Sequence, residues 1–291
     1  MSRFAPPPQS QKLRLPTGID CHYLEWASTN PGPPVLMIHG FLEHAWGFAG
    51  VVDGELAERH HVVAPDARGH GDSSHVGPGA TYHPMDFVAD IAGLVDHLDC
   101  DTVSLVAHSR GGIAAAAFAG AFPEKVRRLV LIEGLGPPHD TTPTPERVSA
   151  WIARSAVLRA KPQSQFASLE DAARKWCERD SELQYDLALE LANSGTRRLD
   201  DGRYQLKHDP LLQAPEADPF TIDFMEGFWR RITAQVLYVS GDRSWYNAVD
   251  SMSRRQAAFR DLRTVEIADC GHMPHRDKPQ LLQPILLDFL S

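Results

Sequence analysis

The stretch VSLVAHSRGG, residues 103–112, sets one serine between a strand-length apolar run and an alanine-rich run that continues to Gly120. A strand that must become a helix within about one residue strains the residue at the turn and exposes its side chain. Ala107, Gly111 and Gly112 leave room for that approach. The Ser109 hydroxyl would then stand at the carboxyl end of a sheet, where open α/β folds bind ligands. Serine attacks carbonyls when a neighbouring base takes its proton, and a helix N-terminus behind it favours the negative charge that develops. Simple helix capping by serine is the competing reading of the segment.

Two further segments offer partners. HGF, residues 39–41, follows an earlier apolar run, and its glycine lets the chain turn toward the same sheet edge. The amides of Phe41 and Arg110 would there form the oxyanion hole that a tetrahedral intermediate requires. Near the C-terminus, DCGHMPH presents His272 beside Gly271, with His275 as the rival. Histidine titrates in the range a general base needs, and the glycine gives its loop freedom to reach back over the sheet.

The elements that must hold these residues follow from periodicity. KLRLP and DCHYLEWA bracket the turn signal PTG and read as an antiparallel hairpin after a loose proline-rich lead-in over residues 1–10. VLMIHG, HHVVAP, TVSLVAHS, RRLVLIEG, AQVLYVSGD and LRTVEIADC are continuous Val/Ile/Leu runs suited to strands buried on both faces. Between them MDFVADIAGLVDHL places Phe87, Ile91, Leu94, Val95 and Leu98 on one helical face. This βα alternation winds into a twisted, mostly parallel sheet with helices on both sides. Residues 136–228 break the rhythm. They show no strand run, open on GPPHDTTPTP and continue with helical patterns such as ERVSAWIARSAVL and SLEDAARKWCERD. The expected organisation is therefore a core from 1–135 and 229–291, interrupted by a helical cap at 136–228.

Composition narrows the function. The chain has 291 residues, 43% hydrophobic and 23% charged, enough to bury a full core. Its net charge of −9 argues against a nucleic-acid partner. The first residues lack the apolar core of a secretory signal, and no apolar run is long enough to span a membrane, so a cytoplasmic location without membrane contact is expected. The four cysteines show no CxxC spacing and read as free thiols, a structural disulfide being the alternative. The fourteen histidines lack HExxH spacing, RGHGDSS lacks a following GK[ST], and no GxGxxG opens a helix after the first strand. No metal and no cofactor are expected.

Four motifs in order, HGF at 39–41, DARGHGDS at 66–73, AHSRG at 107–111 and GHMPH at 271–275, make the chain resemble the α/β-hydrolase superfamily over residues 12–290. The closest likeness is to its serine esterase and lipase branch with a helical cap. The resemblance implies an eight-stranded twisted sheet and the chain order serine, acid, histidine. Two departures stand out: Ala107 replaces the usual elbow glycine, and Arg110 follows the nucleophile, where its side chain could pair with a carboxylate. For the acid the resemblance leaves two candidates. Much of the superfamily carries it on the third residue past a glycine after the seventh strand, but that residue here is Ser244, and Asp242 sits two places early. Relatives similar to haloalkane dehalogenases and coelenterazine-type luciferases carry it after the sixth strand, where this chain has Glu133. Its spacing of 24 residues from Ser109 and the reach of its extra methylene favour it, with Asp242 as the alternative. Asp66 and Arg68 are expected to brace their loop.

The implied reaction is hydrolysis of a small or medium carboxylic ester, thioester or lactone through an acyl-enzyme, with a small-molecule ester as the partner and the monomer or homodimer state left open. Serine rather than aspartate at the nucleophile argues against epoxide hydrolysis or dehalogenation. The rivals are a hydroxynitrile-lyase-like reaction, carbon–carbon bond hydrolysis on the same triad, and a ligand receptor of hydrolase fold. Leu42, His108, Trp151 and Trp245 are the expected pocket residues, with Trp46, Phe48 and Trp176 as further candidate walls.

Overall fold

A computed structural model describes residues 7–180 and 182–291. Eight strands form one sheet: β1 (Gln9–Arg14), β2 (Asp20–Trp26), β3 (Val35–Ile38), β4 (Val62–Pro65), β5 (Val103–His108), β6 (Val126–Ile132), and, after three short strands treated below, β10 (Gln235–Gly241) and β11 (Leu262–Ile267). Their order across the sheet is β1-β2-β4-β3-β5-β6-β10-β11. β1 and β2 pair antiparallel, as the PTG turn demands, β2 pairs antiparallel with β4, and every pair from β4 to β11 is parallel. The first residues of the expected lead-in fall outside the described residues, and by Gln9 the chain is already in a strand.

The apolar runs are continuous because both faces of the central strands are covered. Leu36 and Ile38 of β3 enter one core with Leu105, Ala107, Leu129 and Leu131, while Val35 and Met37 enter the other with Val106, Val130 and Ile132. This is the period-2 alternation of a strand, with an apolar layer on each side. The helices Pro84–His97 and Ser109–Ala121 cover the first face, and the C-terminal helix Pro279–Leu290 covers the second. Ile91, Leu94 and Val95 point into the first core, as their spacing requires.

Chain order reverses at β3, which lies between β4 and β5. The carboxyl ends of β3 and β5 therefore meet at a switch point, where a crevice forms in an open α/β sheet. Small residues let the backbone close there. A Cβ on Gly111 would lie 2.4 Å from the His39 carbonyl oxygen, and one on Gly112 would lie 2.6 Å from the Cα of Gly134.

The segment between β6 and β10 corrects one expectation. It holds the helices Thr144–Ala160, Leu169–Arg179 and Tyr185–Gly195, but also a three-stranded antiparallel sheet of β7 (Gln165–Phe166), β8 (Thr196–Arg198) and β9 (Tyr204–Leu206). These strands are two or three residues long, too short to leave a periodic signal. The first two helices were legible from their patterns. The later helix Ile222–Trp229 packs Met225 and Trp229 into the core beneath the sheet. All four cysteines are free thiols. No helix among the described residues is long and apolar enough to cross a membrane.

Candidate active site

Ser109 begins its helix directly after β5, with φ at +49°, a left-handed conformation that disfavours any side chain. Its Oγ lies 3.1 Å from Nε2 of His272. His272 sits on the loop between β11 and the short helix Pro274–Asp277, and its Nδ1 hydrogen-bonds Oε2 of Glu133. Glu133 follows β6, is fully buried and has φ at +50°. Its other oxygen accepts the Gly241 amide at 2.9 Å, and the Ser244 hydroxyl donates to Oε2. Ser244, standing where the superfamily more often keeps its acid, thus supports an acid supplied from the neighbouring strand.

Asp242 does not take part in this line. Its carboxylate accepts the Cys270 amide at 3.1 Å, and the amides of its own surroundings hold it below the ordinary carboxylate range. The rival base His275 is fully buried and its Nε2 faces Glu43, away from the serine. The structure therefore brings Ser109, His272 and Glu133 together and leaves Asp242 and His275 outside.

Phe41 and Arg110 line the same cavity as Ser109. As the second residue of its helix, Arg110 has an amide without an intrahelical acceptor. Gly40 is wedged behind the nucleophile: a Cβ there would lie 3.1 Å from Cβ of Ser109 and 2.4 Å from a Glu43 oxygen. The Arg110 guanidinium meets Glu216 at 3.1 Å and lies over the rings of Phe41 and Phe87. Burial in that apolar setting lowers its pKa, against the opposing pull of the Glu216 charge.

The cavity measures about 690 Å³. Its walls are mostly apolar: Met85, Phe87 and Ile91 from one helix, Ile113 and Ala114 from the helix after Ser109, and Phe220 and Phe224 opposite. Trp245 lines it as expected and packs on His272, with ring centroids 4.8 Å apart. Three other expected pocket residues are corrected. Leu42 turns aside in a left-handed conformation, with its amide bonded to His70. Trp151 does not line this cavity but a smaller adjoining one that shares the Arg110 and Glu216 wall with it. His108 points under the sheet edge, where its ring bonds Glu43 and the His272 carbonyl. Phe48 is core, and Trp46 and Trp176 pack in clusters away from the serine.

The bracing roles of Asp66 and Arg68 hold. Asp66 bonds the His22 ring at 2.6 Å and the amides of Ala45 and Asp72. Arg68 makes two bonds to Asp90 at 2.6 and 2.7 Å. A residue the sequence did not single out is Arg255, fully buried, which donates to the carbonyls of Leu135, Gly136 and Pro137 and fixes the chain just beyond Glu133. No motif marks it, since its acceptors are main-chain atoms more than a hundred residues away.

With this geometry in hand, residues 33–279 match the family model described as alpha/beta hydrolase fold. The chain belongs to the alpha/beta hydrolase family. It is 25% identical to serine hydrolase-like protein 2 of Homo sapiens, with 91% of this chain and 89% of the relative covered. An sn-1-specific diacylglycerol lipase of Mus musculus is 26% identical, over 89% of this chain and 81% of its own. Among solved structures, a hypothetical protein from Pseudomonas aeruginosa PAO1 superposes with a TM-score of 0.82 at 25% identity, covering 98% of this hydrolase and 99% of that chain. Each of the two sequence relatives aligns with about nine-tenths of this chain.

Proposed function

We propose that this hydrolase cleaves a carboxylic ester, or the related thioester or lactone, through an acyl-enzyme on Ser109. The observation that carries the reading is the unbroken hydrogen-bonded line from the Ser109 hydroxyl through His272 to Glu133, opening into an apolar cavity. As Oγ attacks the carbonyl carbon, His272 Nε2 takes its proton, while Nδ1–H donates to Glu133, which fixes the tautomer and stabilises the imidazolium. The amides of Phe41 and Arg110 receive the oxyanion. His272 then returns the proton to the leaving oxygen or sulfur, and a water molecule, deprotonated by the same ring, releases the acid.

A cavity of about 690 Å³ with mostly apolar walls accommodates a small or medium acyl chain. The serine hydrolase-like and diacylglycerol lipase relatives point the same way. Fluorophosphonate labelling tests the reading: one rapid adduct, absent in Ser109→Ala, is expected. Alongside it, nitrophenyl esters of increasing chain length should be turned over with an optimum at short or medium chains. Labelling of Ser109 without turnover of any of them would overturn the ester assignment.

A further inference from the structure

A second buried polar cluster lies directly behind the elbow. Glu43, His108 and His275 are each under a tenth exposed, and each comes from a different segment of the site. Glu43 closes the HGF segment, His108 precedes the nucleophile, and His275 follows the loop that carries His272. Glu43 Oε1 lies 2.5 Å from His108 Nδ1, and Oε2 lies 2.8 Å from His275 Nε2. The Gly40 amide also donates to Oε1, at 3.2 Å. On its far side His108 Nε2 meets the main-chain carbonyl of His272 at 2.9 Å.

These contacts count the protons. A carbonyl oxygen only accepts, so His108 Nε2 carries a hydrogen. The short contact between Oε1 and Nδ1 needs one as well, and so does the contact from His275 Nε2 to Oε2. Burial opposes a charge on Glu43, yet the facing His108 and His275 rings hold its carboxyl well below the ordinary range. Oε1 also accepts the Gly40 amide and Oε2 faces the His275 ring nitrogen, so both Glu43 oxygens act as acceptors and the shared proton falls on the His108 side of the contact. His275, whose pKa burial lowers to about 4, stays neutral with Nε2–H. The other titratable or charged groups acting on the trio are His44, His272, Arg276 and Asp277. The three side chains could be read as metal ligands. However, a tetrahedral metal with bonds near 2.1 Å keeps its donor atoms roughly 3.4 Å apart. Contacts of 2.5 and 2.8 Å are hydrogen-bond distances.

We propose that Glu43 and His108 form a standing ion pair that positions the three segments of the active site. His108, protonated on both ring nitrogens, holds the His272 main chain, and Glu43 joins it to the Gly40 amide beside the oxyanion hole. Both are positioning residues, and the inference rests on the reading of Ser109 and His272 given above. Replacing Glu43 by glutamine keeps the bonds to both rings, since the amide nitrogen can donate to a neutral His108 Nδ1, but removes the ion pair.

Nitrogen-15 histidine NMR at pH 8.5 provides the test, with the His108 signals assigned by their loss in His108→Gln. Two ring N–H protons on His108 are expected in the native protein and one in Glu43→Gln. On nitrophenyl esters, His108→Gln should lower kcat about 10- to 100-fold with KM nearly unchanged, the scale of a small displacement of a catalytic group. A single ring N–H in the native protein, or native kcat in folded His108→Gln, would overturn the proposal. Should His108→Gln not fold, the His108 ring signals are assigned instead by through-bond correlation to the His108 main chain, and the ring-proton count in the native protein and Glu43→Gln decides alone. Turnover surviving in Ser109→Ala would instead overturn the nucleophile, a result distinguishable from either.

Discussion

Ser109 and Glu133 hold the same left-handed backbone conformation, φ +49° and +50°, at the carboxyl ends of the neighbouring parallel strands β5 and β6. The two strained residues aim their side chains at the two ring nitrogens of one histidine. Left-handed φ costs an L-residue roughly 1–2 kcal/mol, so strain of that order sits at the site and is held by the packing around it.

Glycine at the nucleophile position would release that strain. Ser109→Gly should therefore resist urea better than Ser109→Ala by about 1 kcal/mol, despite the greater chain entropy of glycine in the unfolded state. A glycine variant less stable than the alanine variant would show that the turn is unstrained.

The acid is separable by exchanging each candidate for its amide. Glu133→Gln should lose kcat by roughly 10³- to 10⁴-fold, because glutamine stabilises neither the working tautomer nor the imidazolium. Asp242→Asn retains an oxygen for the Cys270 amide and should leave kcat near the native value. Steady-state kinetics on one nitrophenyl ester check both, with circular dichroism to confirm the fold.

Buried histidines set the acid limit of stability. Burial lowers His44, His208 and His275 to about 4, whereas an unfolded histidine titrates near 6.5. Between these values the unfolded chain binds protons that the native protein does not, so stability rises with pH across that window and is lost as pH falls from about 6.5 toward 4. Urea midpoints measured at pH 7.5 and 5.5 should be lower at 5.5. His44→Gln should narrow the difference, and an unchanged gap would exclude His44 as a contributor.

Much of this was legible in the chain itself, for physical reasons that differ from place to place. Continuous apolar runs mark the central strands with both faces covered, and the PTG turn marks the β1–β2 hairpin. By contrast β11, at the sheet edge and exposed along most of its length, is not covered on both faces as its run suggested. Ser109 and His272 stand out because strand-to-helix turns and glycine-flanked histidine loops leave local signatures. The sequence favours Glu133 over Asp242 only through its spacing from Ser109 and its longer side chain, since the partners that hold its carboxylate, the Gly241 amide and the Ser244 hydroxyl, lie more than a hundred residues away. Strands β7, β8 and β9, between β6 and β10, were too short to leave a period. Pocket residues were hardest: Trp151 and Leu42 are of types that line pockets, but which wall they face depends on how the cap loops pack.

The most direct test of the account is rapid-quench mass spectrometry of the enzyme during turnover of a nitrophenyl ester. The expected result is one acyl group per chain, mapped to the peptide containing Ser109, formed in a burst stoichiometric with enzyme and gone in Ser109→Ala. Full turnover by Ser109→Ala, or an acyl group carried on any other residue, would contradict it.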